Sequence, residues 1–169
     1  KNSSVALMLH GSWHDADNDF GNTYYDVTQK NGYAQLMYET DFSERHSLST
    51  GVSLNCDKYD EASSLFLSDK TIDKEIVSGI YTQYTYKLHS KLTAMAGMRW
   101  DFSSKYDGFF TPRVHLKYSP SEKVTFRASV GKGRRTPHCL AENSHLLASG
   151  RNFYFEKNMK QEEAWNYGF

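Results

Sequence analysis

The chain has 169 residues, and its 20 basic and 20 acidic side chains give zero net charge when His is neutral. This balance argues against a nucleic-acid-binding protein, which would carry a net basic face. The mean hydropathy is −0.70, and no stretch approaches the roughly 18 apolar residues of a transmembrane helix. A membrane β-barrel is still allowed, because its strands alternate lipid-facing and lumen-facing residues and keep the mean hydropathy low.

Seven segments alternate apolar and polar residues with a period of two, which is typical of strands and does not fit the helical period of 3.6. In chain order the predicted strands cover residues 5–14, 33–42, 47–56, 80–88, 91–101, 113–118 and 124–131. An eighth strand is predicted to begin at about Ala164. The predicted fold class is therefore all-β, an antiparallel up-and-down meander of seven full strands and a partial eighth, with no long helix.

The predicted connections alternate in length. Short turns are predicted at residues 43–46, 89–90 and 119–122, and longer polar loops at residues 15–31, 58–73 and 103–110. Short turns at one end and long loops at the other are the organisation of outer-membrane barrels. Bulky aromatic residues at the strand ends fit the girdles of such barrels, namely Trp13, Phe42, Tyr86, Trp100 and Tyr118. A soluble β-sandwich also alternates and remains the alternative fold.

From Gly79 onward, short motifs follow one another in a fixed order. They are Gly79–Tyr84, Ala96–Asp101, Thr111–Tyr118, Phe126–Gly133, Arg135–Pro137, Leu140–Asn143 and Gln161–Gly168. In this order and spacing the sequence resembles TonB-dependent outer-membrane receptors, particularly those of Bacteroidetes-type bacteria. One position departs from the pattern, because Arg134 stands where such receptors usually carry an aromatic residue.

The resemblance implies a 22-strand barrel with a separate plug domain in its lumen. Residues 1–169 would form a single wall segment, a fragment of that barrel without its plug, in the outer membrane of a Gram-negative cell. The parent receptor would import a nutrient complex (siderophore, cobalamin, heme or glycan) with energy delivered through TonB. The implied partners are outer-membrane lipid, the plug domain and, indirectly, TonB.

Two groups of residues are candidates for function. The first shares the polar face of strands five to seven and is predicted to face the lumen and contact the plug: Arg99, Asp101, Arg113, His115, Lys117 and Arg127. A solvated sheet face is the competing interpretation of this group. The second group follows strand seven and is predicted to reach a ligand from the outer loops: Arg134, Arg135, His138 and His145. For each histidine an ordinary surface position is the alternative.

Catalytic, cofactor-binding and metal-binding motifs are not found in the sequence, so we predict no enzyme activity, no cofactor and no metal site. His10 and His14 share a strand face but lie about 13 Å apart, too far for one ion. A disulfide between Cys56 and Cys139 is left open. The competing functions are a soluble carbohydrate-binding module, a small outer-membrane pore and a membrane-anchored enzyme. A wall fragment would also expose two open edges, through which copies could self-associate.

Overall fold

Eight strands form one antiparallel sheet in strict chain order in the computed structural model, which describes residues 2–64, 70–88, 91–149 and 159–169. The strands are β1 (Ser3–Phe20), β2 (Thr23–Ser43), β3 (His46–Ser63), β4 (Lys70–Leu88), β5 (Leu92–Ser103), β6 (Phe109–Ser121), β7 (Val124–Arg135) and β8 (Glu162–Gly168). The predicted meander is confirmed, and the eighth strand begins two residues earlier than expected. Strands β1 and β8 lie at the two ends of the sheet.

Helical structure in the described residues is confined to the connection between β7 and β8. It consists of α1 (Cys139–Asn143) and a 3-10 helix over Ser144–Ser149. Within the described ranges, no helix combines the length and apolar character needed to cross a membrane. For the part of the chain that the structure describes, the prediction of no long helix is confirmed.

The apolar face of the sheet is exposed along its whole width. The fractional exposure is 64% for Leu7, 54% for Met98 and 62% for Phe126. The same face carries Leu9, Trp13, Leu36, Val52, Leu54, Ile80, Trp100, Val114 and Leu116, all of them exposed. A soluble sandwich would bury such a face in its core, whereas a barrel wall turns it towards lipid.

Two predicted loops are wrong, because most of residues 15–31 and 58–73 lies in strands. β1 and β2 stay paired from Ser3↔Thr40 up to Phe20↔Thr23. They turn at Gly21, whose φ of 68° suits glycine. Polarity in these segments does not prevent strand formation, since the ladder satisfies the backbone wherever β-favouring residues such as Tyr, Thr and Val recur.

The other connections agree more closely with the predictions. β2 and β3 join through residues 44–45, β5 and β6 through residues 104–108, and β6 and β7 through residues 122–123. The predicted turn at residues 89–90 lies outside the described residues. The outer ends of the first strands extend far beyond the roughly 9–11 residues that a transmembrane strand needs, since β2 alone has 21 residues.

Candidate functional site

The face opposite the exposed apolar side chains, called the inner face here, contains a tightly bonded ion pair on β5. Arg99 Nε donates to both carboxylate oxygens of Asp101, at 2.8 and 2.7 Å. Arg99 Nη2 also donates to Ser53 Oγ at 2.8 Å. Asp101 is only 3% exposed and Ser53 is 7% exposed. The guanidinium therefore ties β5 to β3 across the intervening strand.

Gly79 on β4, the strand between β3 and β5, makes the contacts of Arg99 with Asp101 and Ser53 possible. A Cβ added to Gly79 would lie 2.1 Å from Asp101 Oδ1 and 2.5 Å from Arg99 Nη2. Gly51 leaves room for an aromatic ring in the same way, because a Cβ on Gly51 would lie 2.8 Å from Tyr81 Cε1. Long side chains thus lie flat along the inner face wherever a neighbouring strand offers a glycine.

Four further candidates form a basic row on β6 and β7. Arg113, His115, Lys117 and Arg127 all lie on the inner face and are exposed. Arg113 is flanked by two glycines, since a Cβ on Gly97 or Gly131 would come within 3.3 or 3.4 Å of its side chain. Among the described residues, none of the four has a carboxylate partner. The basic row is thus charged and open, unlike Arg99.

The segment after β7 folds inward over the outer ends of the first strands. We call residues Thr136–Ser149, including α1 and the 3-10 helix, the inner strap. Leu140 and Leu147 of the strap are 7% and 3% exposed and pack with Tyr25 and Val27 of β2, which are 1% and 9% exposed. This is the one buried apolar cluster in the described part of the chain, and burying each leucine contributes about 1.5–3 kcal/mol.

Polar and aromatic contacts complete the attachment of the inner strap. The ring of His138 stacks on Tyr59 of β3 with 3.9 Å between centroids. Thr136 Oγ1 donates to Glu75 Oε1 of β4 at 3.2 Å. Glu75 is 6% exposed and also accepts from Ser103 Oγ at 2.6 Å. The strap therefore touches β2, β3 and β4 in turn.

Two tyrosines at this contact carry raised pKa values. Burial is the main cause for Tyr25, and its hydroxyl also donates to Glu61 Oε1 at 2.7 Å, so ionisation is opposed twice. Burial likewise raises the pKa of Tyr59, with the charge of Asp57 adding to the effect. Both phenols therefore remain neutral at ordinary pH.

The four outer candidates occupy different environments. Arg134 pairs with Glu163 of β8 and rests over the ring of Phe109, 5.2 Å from its centroid. Arg135 pairs with Glu162 at 2.9 Å and with Glu142 at 3.0 Å. His138 is held in the strap by its stack on Tyr59, whereas His145 is exposed in the 3-10 helix. Three of the four are therefore already engaged with other side chains.

Sequence reasoning missed the residues that hold the inner strap. Tyr25 was assigned to a loop, and Glu75 and Leu147 were given no role; Ser53, which holds Arg99 instead, was also missed. The spacing of Leu140 and Leu147, seven residues apart, is the one signal that indicates a shared helical side. No group of three metal-ligating side chains is found within the described ranges. Cys56 has a free thiol on the outward face, and the Cys139 side chain lies outside the described residues.

The geometry defines a class of protein. Consecutive antiparallel strands with an exposed apolar face, a polar inner face and short turns at one end form the wall of a membrane-spanning β-barrel. The sequence model of the family described as "TonB dependent receptor-like, beta-barrel" matches residues 4–169. The chain belongs to this family of outer-membrane transport receptors. The resemblance to TonB-dependent receptors is thereby confirmed, and its Bacteroidetes-like character stays a prediction.

Solved receptor structures share the fold at low sequence identity. The copper transporter OprC is 14% identical with a TM-score of 0.61, covering 84% of this chain and 30% of its own. The alcaligin outer-membrane receptor FauA from Bordetella pertussis is 16% identical with a TM-score of 0.57, covering 77% of this chain and 25% of its own. The ferric enterobactin receptor PfeA is 14% identical with a TM-score of 0.51, covering 80% of this chain and 26% of its own.

These figures show that the chain spans between a quarter and a third of the length of the solved receptors it matches. At such identities the likeness establishes the fold. Comparison with curated protein sequences gives no match for this chain.

Proposed function

We propose that this chain forms part of the wall and outer rim of a TonB-dependent importer of a nutrient complex, and that it contributes no catalysis. The observation that carries the proposal is the contrast between its two faces in a member of this receptor family. One face exposes leucine, valine and aromatic side chains, and the other carries a bonded ion pair and an open row of basic groups. In the parent, residues 1–169 are one segment of a 22-strand barrel in the outer membrane of a Gram-negative cell.

The inner face supplies contacts for the plug domain. Arg113, His115, Lys117 and Arg127 have no carboxylate partner in the described residues, so acidic or carbonyl groups of a plug would fit beside them. Arg99 differs because Asp101 already satisfies its guanidinium. Arg99 and Asp101 would then act in the wall itself, holding β5 to β3 behind the plug.

The outer rim supplies contacts for the transported complex. Arg134, Arg135, His138 and His145 all lie at or beyond the outer end of β7. Relatives with this fold include a copper transporter, a ferric enterobactin receptor and an alcaligin receptor, by the descriptions of those proteins. For this receptor the proposal covers siderophore, cobalamin, heme and glycan complexes. It assigns no resident cofactor or metal.

Uptake by intact cells tests the proposal. The full-length parent gene is deleted in its host, and the uptake of radiolabelled ferric siderophores, cobalamin, heme and oligosaccharides is measured in separate assays. We expect one of these activities to be lost in the deletion strain and also in a strain that lacks TonB. Unchanged uptake of all four classes in the receptor deletion would contradict the proposed importer.

The charge of the basic row is tested separately in the full-length receptor. Lys117→Gln and Arg127→Gln should loosen the plug, measured as faster protease cleavage of the plug in the assembled receptor. Lys123→Gln, in the exposed turn between β6 and β7, is the matched control with the same loss of charge. Equal cleavage rates in all three variants would show that the basic row does not hold the plug.

A further inference from the structure

The inner strap has two different sides, although it is short. Leu140 and Leu147 are buried against β2, whereas Leu146 is 43% exposed and His145 and Glu142 are also exposed. One side thus packs on the wall and the other is exposed. A segment that simply connected two strands over the rim would not need a buried apolar side.

The inner-face side chains under the strap are buried. Tyr25 and Val27 are 1% and 9% exposed, although both lie on the inner face of β2. Elsewhere on that face the side chains of Arg113, His115 and Lys117 are open. Under the strap the inner face therefore carries buried apolar side chains, whereas its other buried groups, such as Asp101 and Ser53, are polar and held by Arg99.

Several independent contacts hold the strap on the strands. Besides the leucines, the strap is held by the stack of His138 on Tyr59 and by the hydrogen bond from Thr136 to Glu75. Arg135, at the end of β7, pairs with Glu142 inside the strap and has a second carboxylate partner in Glu162 of β8. When the strap leaves, Arg135 therefore keeps an ion pair, which lowers the electrostatic cost of release.

We propose that the inner strap, Thr136–Ser149, is a releasable strap that closes over the inner face of β2 to β4 at the outer mouth of the receptor. Docked, it shields Tyr25 and Val27 from outside; released, it opens this part of the wall to an incoming nutrient complex. The inference rests on the proposed function for what enters, but the docking and release of the strap are properties of this chain alone.

Labelling from outside the cell tests the strap without the need for a known ligand. The full-length receptor is expressed with Cys56→Ser and Cys139→Ser, and Val27→Cys places a thiol beneath the strap. Intact cells are treated with a membrane-impermeant maleimide, and the rate of labelling is measured. Leu147→Asp puts a carboxylate at a position that is 3% exposed, so we expect labelling to become about tenfold faster or more.

The neighbouring leucine provides the control. Leu146→Asp adds the same charge one residue away, on the open side of the strap, and should leave labelling as slow as in the parent. Leu147→Ala should give a smaller acceleration and serves if Leu147→Asp does not assemble, as judged by heat-dependent migration in gels. Labelling of the parent no faster than that of the receptor without a thiol at position 27 would mean that the strap is never released, and equal rates for the Leu146 and Leu147 variants would mean that it does not shield Val27; either result would overturn the proposal.

The two proposals fail in different ways. A receptor that imports none of the nutrient classes but shows the Leu147-specific acceleration keeps the strap and loses the importer. A receptor that imports normally but labels Val27→Cys equally fast in every variant keeps the importer and loses the strap.

Discussion

The inner face has two parts that satisfy their charges in different ways. Between β3 and β5, Arg99 is bonded to Asp101 and Ser53, and Gly79 provides the space in which the three groups meet. On β6 and β7, Arg113 and Arg127 have no such partners among the described residues. The first part is complete within this chain, whereas the second needs water or another domain. If the basic row contacts the plug as proposed, stability and partner binding are assigned to different strands of one sheet.

The largest loss of stability should come from disrupting the contacts of Arg99 with Asp101 and Ser53. Asp101→Ala removes the carboxylate that pairs with Arg99, whose side chain is 31% exposed. We expect a loss of about 2–3 kcal/mol in the free energy of unfolding, since a partly buried cation is left without its partner. The measurement is the urea midpoint of tryptophan fluorescence for the full-length receptor in detergent. Asp107→Ala, in an exposed loop, should change it by less than about 0.5 kcal/mol.

Glycine substitutions test whether close packing on the inner face of β2 to β4 also contributes to stability. A Cβ on Gly51 would lie 2.4 Å from the backbone oxygen of Leu36 and 2.8 Å from the Tyr81 ring. Gly51→Ala should therefore cost about 1–3 kcal/mol, because backbone cannot move aside as a side chain can. Gly32→Ala is the matched control, since nothing lies within 4 Å of its added Cβ. Similar urea midpoints for the two variants would show that the inner face is less tightly packed.

A substitution in the basic row should lower the stability only when the plug domain is present. We expect Arg127→Gln to lower the stability of the plug-containing receptor by about 1.5 kcal/mol, the low end of the range for hydrogen bonds to a charged group, because Arg127 lies on an exposed part of the wall. In the same barrel expressed without its plug, the variant should match the parent. The comparison is made by heat-dependent migration of the four proteins. A loss of the same size with and without the plug would mean that Arg127 has its partner in the wall.

The smallest effect is expected at the outer end of β7 and β8, outside the membrane-spanning part. Hydrogen bonds from Lys132 and Arg134 hold the pKa of Glu163 below its ordinary value of 4.5. A lowered folded-state pKa stabilises the fold above the unfolded value, and this share is lost as the pH falls through the folded value. Glu163→Gln should therefore be less stable than the parent at neutral pH, with the gap closing below about pH 4. A gap that persists in acid would show that the carboxylate charge is not its cause.

The sequence predicted the wall better than the site. Alternation assigned side chains such as Leu54, Met98 and Phe126 to one face, since a period of two directly reports on which side a residue lies. It also placed Arg99 and Asp101 together. It could not show that Ser53 joins them, because that contact depends on the register of three strands.

The outer parts of the chain were predicted less well, for two physical reasons. Strands that extend beyond the lipid need no continuous apolar face, so the segment around Tyr25 and Val27 had the composition of a loop although both residues are buried under the strap. The inner strap was missed because α1 has only five residues, too few to show a helical repeat. Its burial depends on a wall that is remote in sequence.

The length of β2 determines how far the wall extends above the membrane. At a rise of about 3.3 Å per residue and a tilt of about 40°, its 21 residues span a height of about 50 Å. The lipid-facing band accounts for only about 25 Å of that height. Tyr25, near the upper end of β2, therefore stands about 20 Å above the lipid-facing band. An antibody could therefore reach this end of β2 well clear of the lipid headgroups.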